Sequence, residues 1–588
     1  MHSPQDEYAV RVAQRRDEFK RHDRTDLLIA TLRGLTALTA FIFLIISSLR
    51  WWAIIPAGVF LILIVIHERV IQKKTRASKA VEYYERSIAR LNDDWIGRGN
   101  AGKKFQDETH LYTNDLDIFG SGSLYELLCQ AQTQVGEETL ASWLKNPASV
   151  PIIRERQQAV QELRTKLDFR EDLALAGSEV RPDLHPEVLA SWAEKSAYTP
   201  SLSLRIVIPV LAFAATIALI SWGLYGFSGF PFLLFVIAEM VIIRRLRKTI
   251  EAITEGAEQA APELRVLSRV LQRIENQSFT SESLKSLRAE LDTNGLPPSR
   301  EIAKLSRLLE LLDSDRNQFF APIAIVLLWR MQFSFAIEAW RVRHGPQIRR
   351  WMRAVGEMEA LSSFACFSFE HPADPFPQIA EDGPRFEATG LGHPLISEKR
   401  CVRNDISMDP QTRLFIVSGS NMSGKSTLLR SIGANAILAF AGSTVRANSL
   451  RLSIASIGAS IRIVDSLLEG TSRFYAEIKR LRHLMDVAKQ TTLLFLLDEI
   501  LHGTNSVDRA AGAEGVLRGF LHYGALGLIT THDLALTQIA EKLKPAAANV
   551  HFEDHIENGQ VMFDYKLRPD VVQKSNAIAL MRSIGLDV

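Results

Sequence analysis

Cysteine is scarce and net charge nearly zero in this chain. Its three cysteines, Cys129, Cys366 and Cys401, lie far apart and form no CxxC pair. That argues against a disulfide framework or a zinc site, and it suits a reducing compartment. With 69 Lys+Arg against 67 Asp+Glu, the formal net charge is +2. The whole-chain field therefore gives no attraction for nucleic acid, and any such surface must be a local basic patch. The first ~30 residues are charged and hold no early apolar run, so no cleavable signal peptide is expected. Strand-like runs are missing from the middle of the chain.

Long apolar runs, by contrast, are present. Gly34 to Ile66 is interrupted by one charge, Arg50, and is too long for a single membrane span of ~20 residues. It reads as a helical hairpin with Arg50, Trp51 and Trp52 at the turn, where a cation and aromatics suit the membrane interface. A second run, Ile206 to Ile243, breaks near Trp222–Pro231 and also reads as two spans, with Glu239 near the end of the second. Arg15, Arg16, Lys20, Arg21 and Arg33 precede the first pair, and Arg69, Lys73, Lys74 and Arg76 follow it. Arg205 precedes the second pair, and Arg244, Arg245, Arg247 and Lys248 follow it. The positive-inside rule then puts both termini and the middle segment in the cytoplasm, at a cell (inner) membrane. Buried core helices of a soluble protein are the competing assignment; the apolar lengths argue against it. A third run, Phe319–Ala339, contains Arg330, Gln332 and Glu338 and reads as a buried helix of a soluble helical domain.

The expected organisation is a cytoplasmic segment 1–33, a transmembrane hairpin 34–67, a helical linker 68–114, helices 115–204, a second hairpin 205–243, helices 244–384 and an α/β domain 385–588. The proline-rich stretch Glu370–Arg385 reads as the boundary loop before that last domain.

Its chemistry is legible in three strand ends. Arg413–Ser418 is an apolar strand running into Gly419-Ser420-Asn421-Met422-Ser423-Gly424-Lys425-Ser426-Thr427, which matches G-x-x-x-x-G-K-[ST] and precedes an apolar helix. The glycines let backbone N–H groups wrap phosphates at a helix N-terminus. Lys425 would reach the β- and γ-phosphates of ATP, and the Ser426 hydroxyl would ligate Mg²⁺. Thr491–Leu497 is a buried parallel strand ending in Asp498-Glu499, at the sheet end where ligands bind in open α/β folds. Asp498 would hold Mg²⁺, and Glu499 would orient or deprotonate the attacking water. A third strand, Ala525–Thr530, ends in Thr531-His532, where a histidine can contact the γ-phosphate.

These motifs together resemble the MutS family, whose corresponding sequences are GPNMGGKST, DEIGRGTS and a TH pair. Glu469-Gly-Thr-Ser472-Arg-Phe-Tyr-Ala-Glu477 is similar to the family's signature segment, and Gly392-His393-Pro394-Leu395 to its HPV element. Thr133-Gln-Val-Gly136, Trp143–Pro147 and Arg156–Val160 look like the start of the family's helical core and lever. The resemblance covers roughly 115–588. It implies an ABC-like α/β P-loop ATPase domain after an all-α lever domain, pairing of two subunits through their nucleotide sites, and Ser472 facing the partner's nucleotide. The chain departs from the family at Ser420 and Ser423, which replace Pro and Gly, and at Leu501 and His502, which replace Gly-Arg. A Phe-x-Glu mismatch-reading domain is not found at the N-terminus, where the first hairpin lies instead. The leading expectation is a membrane-anchored MutS-like ATPase, homodimeric, with DNA a possible partner and mismatch specificity not expected. The alternative is an ATP-driven membrane switch that does not bind DNA. A transporter is less favoured, since no LSGGQ signature is visible. Arg341, Arg343, Arg349, Arg350 and Arg353 are the candidate phosphate contacts, a cluster equally compatible with a solvated or lipid-facing basic helix.

Overall fold

A computed structural model describes residues 3–178, 186–195, 198, 201–291, 295–462, 473–557 and 560–572. It divides into two compact units, one of residues 1–129, 141–165 and 361–588, the other of residues 130–140 and 166–360.

The first unit opens with the helix Pro4–Ile45. Ser3 caps it, accepting from the Asp6 N–H at 3.1 Å, and Pro4 occupies the first turn where its missing N–H is harmless. A short 3₁₀ turn, Ser47–Ala53, carries Arg50 and the exposed Trp51 and Trp52 into a second helix, Ile54–Leu91. Both helices continue far beyond the apolar run, because leaving an apolar environment changes side-chain polarity and not backbone geometry. Only 6% of the most apolar window of each is buried. Each is long and apolar enough to cross a membrane. Below the apolar section the pair is clamped by charge. His67 Nε2 lies 2.6 Å from Asp26, and Lys74 reaches Asp26 at 2.8 Å and Asp23 at 2.6 Å.

The described strands all lie in this unit. They are β1 (Gln378–Ala380), β2 (Phe386–Leu391), β3 (Asn404–Met408), β4 (Leu414–Ser418), β5 (Ser449–Ser453), β6 (Ser456–Ser460), β7 (Leu493–Asp498), β8 (Leu526–Thr531), β9 (Ala547–Glu557) and β10 (Gln560–Pro569). A small sheet has the order β1-β5-β2-β3. β1 falls within the stretch read from sequence as a boundary loop; three residues between prolines are too few to show a strand period. The large sheet has the order β10-β9-β4-β8-β7-β6, with β4 parallel to β8 and β9, β7 parallel to β6 and β8, and β10 antiparallel to β9. Leu493–Leu497 are all buried, as an unbroken apolar run in a doubly covered parallel strand requires. Ile416, Phe495, Leu497 and Ile529 form the core with Leu484, Leu517 and Phe520 from the covering helices.

Among the described residues, every regular element of the second unit is helical. Helix Leu202–Tyr225 ends on Gly226 in the left-handed conformation (φ 69°), and helix Phe230–Asn276 follows. Three described helices are long and apolar enough to cross a membrane: Pro4–Ile45, Ser48–Leu91 and Ser203–Tyr225. The fourth expected span is not among them. Its apolar run, Phe230 to Ile243, meets Arg244, Arg245 and Arg247 within one turn, after only ~21 Å of helix against a hydrocarbon core of ~30 Å. Glu239 on this helix is buried with neither carboxylate oxygen hydrogen-bonded.

The run Phe319–Ala339 is not the single buried helix expected. It divides into Ala321–Val326 and the start of Trp329–Glu370, with a break where Leu328 takes φ 47°. Leu328, Met331 and Ile337 are buried, whereas Phe319 (92%), Ile323 and Ile325 are exposed. An apolar period alone does not tell a core-facing segment from one left open. Thr133 and Gly136 have a clear role here. The buried carboxylate of Glu359 accepts from the Gln132 and Thr133 N–H groups at 3.2 and 3.3 Å and from the Thr133 hydroxyl at 2.5 Å. A Cβ on Gly136 would stand 2.1 Å from a Glu359 oxygen, so that position admits only glycine without rearrangement. Burial pushes the Glu359 carboxyl up to about 7, against the pull of those hydrogen bonds.

Candidate functional site

The loop after β4 turns on Gly419 (φ 153°), Met422 (φ 68°) and Gly424 (φ 106°) before the helix Lys425–Ala441. A Cβ at Gly419 would lie 3.0 Å from the Phe552 carbonyl oxygen, and one at Gly424 3.2 Å from the Tyr565 ring. These two positions thus need glycine for space as well as for backbone freedom. Lys425 is buried, and its ammonium donates to the Gly419 and Ser420 carbonyls, both at 2.8 Å. Burial draws its pKa down, opposed by Glu499 and Asp498. The buried hydroxyls of Ser418, Ser420 and Ser423 have no protein partner. Unsatisfied buried hydroxyls on a loop that wraps a helix N-terminus fit an oxyanion-bearing ligand. Two of them, Ser420 and Ser423, are the positions at which the loop departs from the family's Pro and Gly.

A cavity of about 640 Å³ opens on this loop, lined by Asn421, Lys425, Asp498, Glu499, His393 and Tyr565 among others. His393 therefore belongs to the site's wall. It is buried, and burial, helped by the Arg430 charge, lowers its pKa to about 4, so it is a neutral imidazole.

Opposite the loop stand the two carboxylates. The Ser426 hydroxyl donates to Asp498 at 2.5 Å, and the Thr530 hydroxyl donates to the other Asp498 oxygen. A hydroxyl and a carboxylate converging in this way form the hard oxygen set that suits Mg²⁺. Glu499 takes φ 49°, a conformation that side-chain-bearing residues seldom adopt. Its N–H is held by the Thr530 carbonyl at 3.2 Å and the Thr530 hydroxyl at 3.1 Å. Leu501 also lies in the left-handed region (φ 59°), its N–H bonded to the buried carboxylate of Glu477 at 2.5 Å.

Glu499 is the focus of the site. One of its oxygens is 3.0 Å from His532 Nδ1 and the other 3.0 Å from His502 Nε2; Lys425 Nζ is 4.0 Å away. Burial raises the Glu499 carboxyl, but the His532 hydrogen bond and the His532, Lys425 and His502 charges outweigh it and leave the pKa below the ordinary value. It is ionised at neutral pH.

The structure thus brings together Lys425, Ser426, Asp498, Glu499 and His532 from the ends of β4, β7 and β8, with Gly419 to Thr427 as one continuous loop. Ser472 lies outside the described residues. Three residues near Glu499 were not read from sequence as parts of the site: His502, Thr530 and Glu477. His502 left a signal as a departure from the family motif and Glu477 as the end of the signature-like segment; Thr530 left none.

A family model described as MutS domain III matches residues 109–365, and one described as MutS domain V matches residues 415–587, which include the phosphate-loop motif and the Asp498-Glu499 strand. The chain belongs to the MutS family. It is 31% identical to the DNA mismatch repair protein MutS of Lactobacillus johnsonii over 248 residues, 41% of this chain and 28% of that protein. It is 28% identical to Endonuclease MutS2 of Thermus thermophilus over 306 residues, 47% of this chain and 38% of that protein. A longer match, 28% identity over 509 residues, joins it to the DNA mismatch repair protein MutS of Myxococcus xanthus, covering 79% of this chain and 56% of that protein. The chain thus spans between about a quarter and just over half of the length of these curated relatives.

The arginine cluster of this MutS-family chain is less available than its sequence suggests. Arg341 is buried, donates to Glu338 at 2.6 Å and to the Lys195 carbonyl at 2.6 Å, and so holds helices together. Arg349 pairs with Glu194, and Arg353 with Glu290 at 2.9 Å. Arg350 lies 4.0 Å from the same Glu290. Arg343 is exposed and outside these pairs. Neighbouring carboxylates, most of them distant in sequence, pair with most of the patch.

Proposed function

We propose that this chain is a membrane-anchored ATPase of the MutS family that works as a homodimer, with ATP binding and hydrolysis moving its helical lever and DNA as the partner the lever engages. The observation that carries the ATPase reading is the convergence of Lys425, Ser426, Asp498 and Glu499 at the carboxyl ends of β4 and β7, two parallel strands on either side of β8. Lys425 and the loop N–H groups would bind the β- and γ-phosphates, and Ser426 and Asp498 would hold Mg²⁺. When bound, that ion neutralises charge developing on the phosphoryl oxygens. Glu499, ionised and pinned by Thr530, would accept the proton of the attacking water. His532 holds the Glu499 carboxylate and is placed to sense the γ-phosphate. Phosphate release by the detergent-solubilised chain, with and without duplex DNA, tests this reading; absence of Mg²⁺-dependent release would overturn it.

Dimerisation through shared sites rests on the similarity of the Ser472 segment to the family's signature. Mixing Lys425→Ala subunits with Ser472→Ala subunits is expected to restore part of the activity, since one of the two shared sites would be intact. Strictly additive activities would count against sharing.

The relatives named for DNA mismatch repair, and one named an endonuclease, favour DNA over a switch that never touches it. Contacts from Arg343, Arg349, Arg350 and Arg353 would be to phosphates, which carry no sequence information. Affinities for a G·T-containing duplex and its matched control are therefore expected to differ by less than about tenfold, ~1.4 kcal/mol, and both to fall steeply with salt. A larger preference in a salt-series binding assay would contradict phosphate-only recognition.

The apolar helices carry the membrane reading. Arg50 and Gly226 would lie on the far side and Lys74 and Arg247 on the cytoplasmic side, the short run Phe230–Ile243 returning through a locally thinned bilayer with the stems of Arg244 and Arg245 reaching to the interface. Single-cysteine variants at the two turns should react with a membrane-impermeant thiol reagent on intact cells. Reaction at Lys74→Cys or Arg247→Cys instead would invert the topology.

A further inference from the structure

We propose that Glu499, His502 and His532 form a binding site for a zinc-class divalent transition-metal ion, separate from the Mg²⁺ set of Ser426 and Asp498. The three side chains come from different backbone positions. Glu499 follows β7, His502 lies on the turn three residues later, and His532 follows β8. One ligand atom from each can be chosen so that all lie within 4.8 Å of one another. The imidazoles stack at 4.9 Å between centroids and 26° between planes, and His532 Nδ1 and His502 Nε2 each lie 3.0 Å from an oxygen of the Glu499 carboxylate. Two imidazole nitrogens and one carboxylate oxygen, with an open position, are the donor set of a catalytic-type zinc site.

The backbone beneath these ligands is fixed. The Glu499 N–H is tied to Thr530 and the Leu501 N–H to Glu477, so only side-chain adjustment separates the present hydrogen bonds from coordination at ~2.0–2.1 Å. The neighbouring Ser426–Asp498 pair offers oxygen alone and so prefers Mg²⁺, whereas imidazole nitrogen prefers Zn²⁺, Co²⁺ or Ni²⁺. Two cation sites of different hardness thus stand side by side. His502 is the decisive residue. The family motif has arginine at this position, which is permanently protonated and offers no lone pair, so the second nitrogen ligand is a feature of this chain.

An ion at this site would take the carboxylate lone pairs that Glu499 needs to accept a proton from water. The site would therefore act as an inhibitory metal switch on hydrolysis. This consequence rests on the ATPase reading, whereas metal binding does not.

The test uses the full chain in detergent, without nucleotide, titrated with Co²⁺ as a spectroscopic probe and then with Zn²⁺. The expected result is one Co²⁺ per chain with visible d–d absorption, displaced by Zn²⁺. His502→Arg and His532→Gln should each weaken binding by about tenfold or more, and Asp498→Asn should change it little. Absorption that survives both histidine substitutions, or is lost only in Asp498→Asn, would overturn the site, as would no Co²⁺ binding by the unsubstituted chain. Thermal unfolding followed by circular dichroism accompanies each variant. If His502→Arg is unfolded, His502→Gln, which keeps a hydrogen-bonding amide but is a poor ligand, is read in its place. In parallel, the Zn²⁺ concentration that halves Mg²⁺-ATP hydrolysis should rise about tenfold or more in a folded His502 variant. Co²⁺ binding without any hydrolysis would sink the ATPase reading and leave the metal site standing; hydrolysis without Co²⁺ binding would do the reverse.

Discussion

Glu499→Gln should lower ATP turnover by about 10²–10⁴-fold, the range for losing a general base, while ATP still binds and persists. The geometry separates the two effects. On the proposed reading, phosphate binding would fall to the loop of Gly419 to Thr427 and to the Lys425 ammonium, which is held by loop carbonyls at 2.8 Å. Glu499 lies across from that ammonium at 4.0 Å and has its own anchors on Thr530. Glutamine preserves the size of the side chain and can still accept a hydrogen bond from one of the flanking histidines, but its amide does not accept a proton from water. Lys425→Ala should behave differently, weakening nucleotide binding itself, because a buried cation that neutralises phosphate charge is gone. The measurement is phosphate release under excess ATP, together with labelled nucleotide retained after rapid filtration. Turnover by Glu499→Gln at the unsubstituted rate would show that another group takes the proton.

The site was legible because its parts are contiguous in sequence. A phosphate loop needs glycines, a lysine and a hydroxyl at fixed spacing, so Gly419 to Thr427 reads without knowledge of the fold. The Asp498-Glu499 pair reads because an apolar run marks a buried strand and the carboxylates mark its end. Residues acting across strands are not legible in this way. Thr530 holds both Asp498 and the Glu499 N–H from the next strand, and nothing about a threonine in an apolar run announces it. Glu477 was seen as part of a signature segment, but its hold on the Leu501 N–H depends on a turn with two left-handed residues. The helices show a similar division. That apolar helices turn near Arg50 and Gly226 follows from long apolar runs broken by turn residues. Whether Phe319, Ile323 and Ile325 face a core or stand open does not follow, since both need apolar side chains at helical spacing. The ion pairs of Arg341, Arg349 and Arg353 could not be read from the cluster, because their partners, Glu338, Glu194 and Glu290, come mostly from other helices.

Arg90→Met should destabilise the chain by about 3–5 kcal/mol, the range for removing one partner of a buried ion pair. Arg90 stands one residue from the end of the helix Ile54–Leu91, and Glu370 is the last residue of the helix Trp329–Glu370. Arg90 Nε reaches both Glu370 oxygens, at 3.1 and 3.0 Å, and its NH2 group reaches one at 2.6 Å. Their side chains are 8% and 1% exposed, so water does not compensate either charge. Tyr8, from the first helix of the hairpin, donates to the same carboxylate at 3.3 Å, and its ring packs on Tyr84 and Phe369. This knot ties both helices of the hairpin to the helix that leads into β1, and its loss should be felt well beyond one contact. A methionine fills much of the arginine stem's volume, so the loss measured is chiefly that of charge pairing and not of packing. Glu370→Leu should be similarly destabilising, because it strands the arginine. The double variant Arg90→Met/Glu370→Leu should recover most of the loss, since apolar replacement of a whole buried pair is often neutral or stabilising. Chemical unfolding in detergent measures all four proteins. Little dependence of the coupling on salt is also expected, because a buried pair is poorly screened. If the double variant loses as much as the two singles added together, the residues contribute independently and the ion pair is not what joins hairpin and helix.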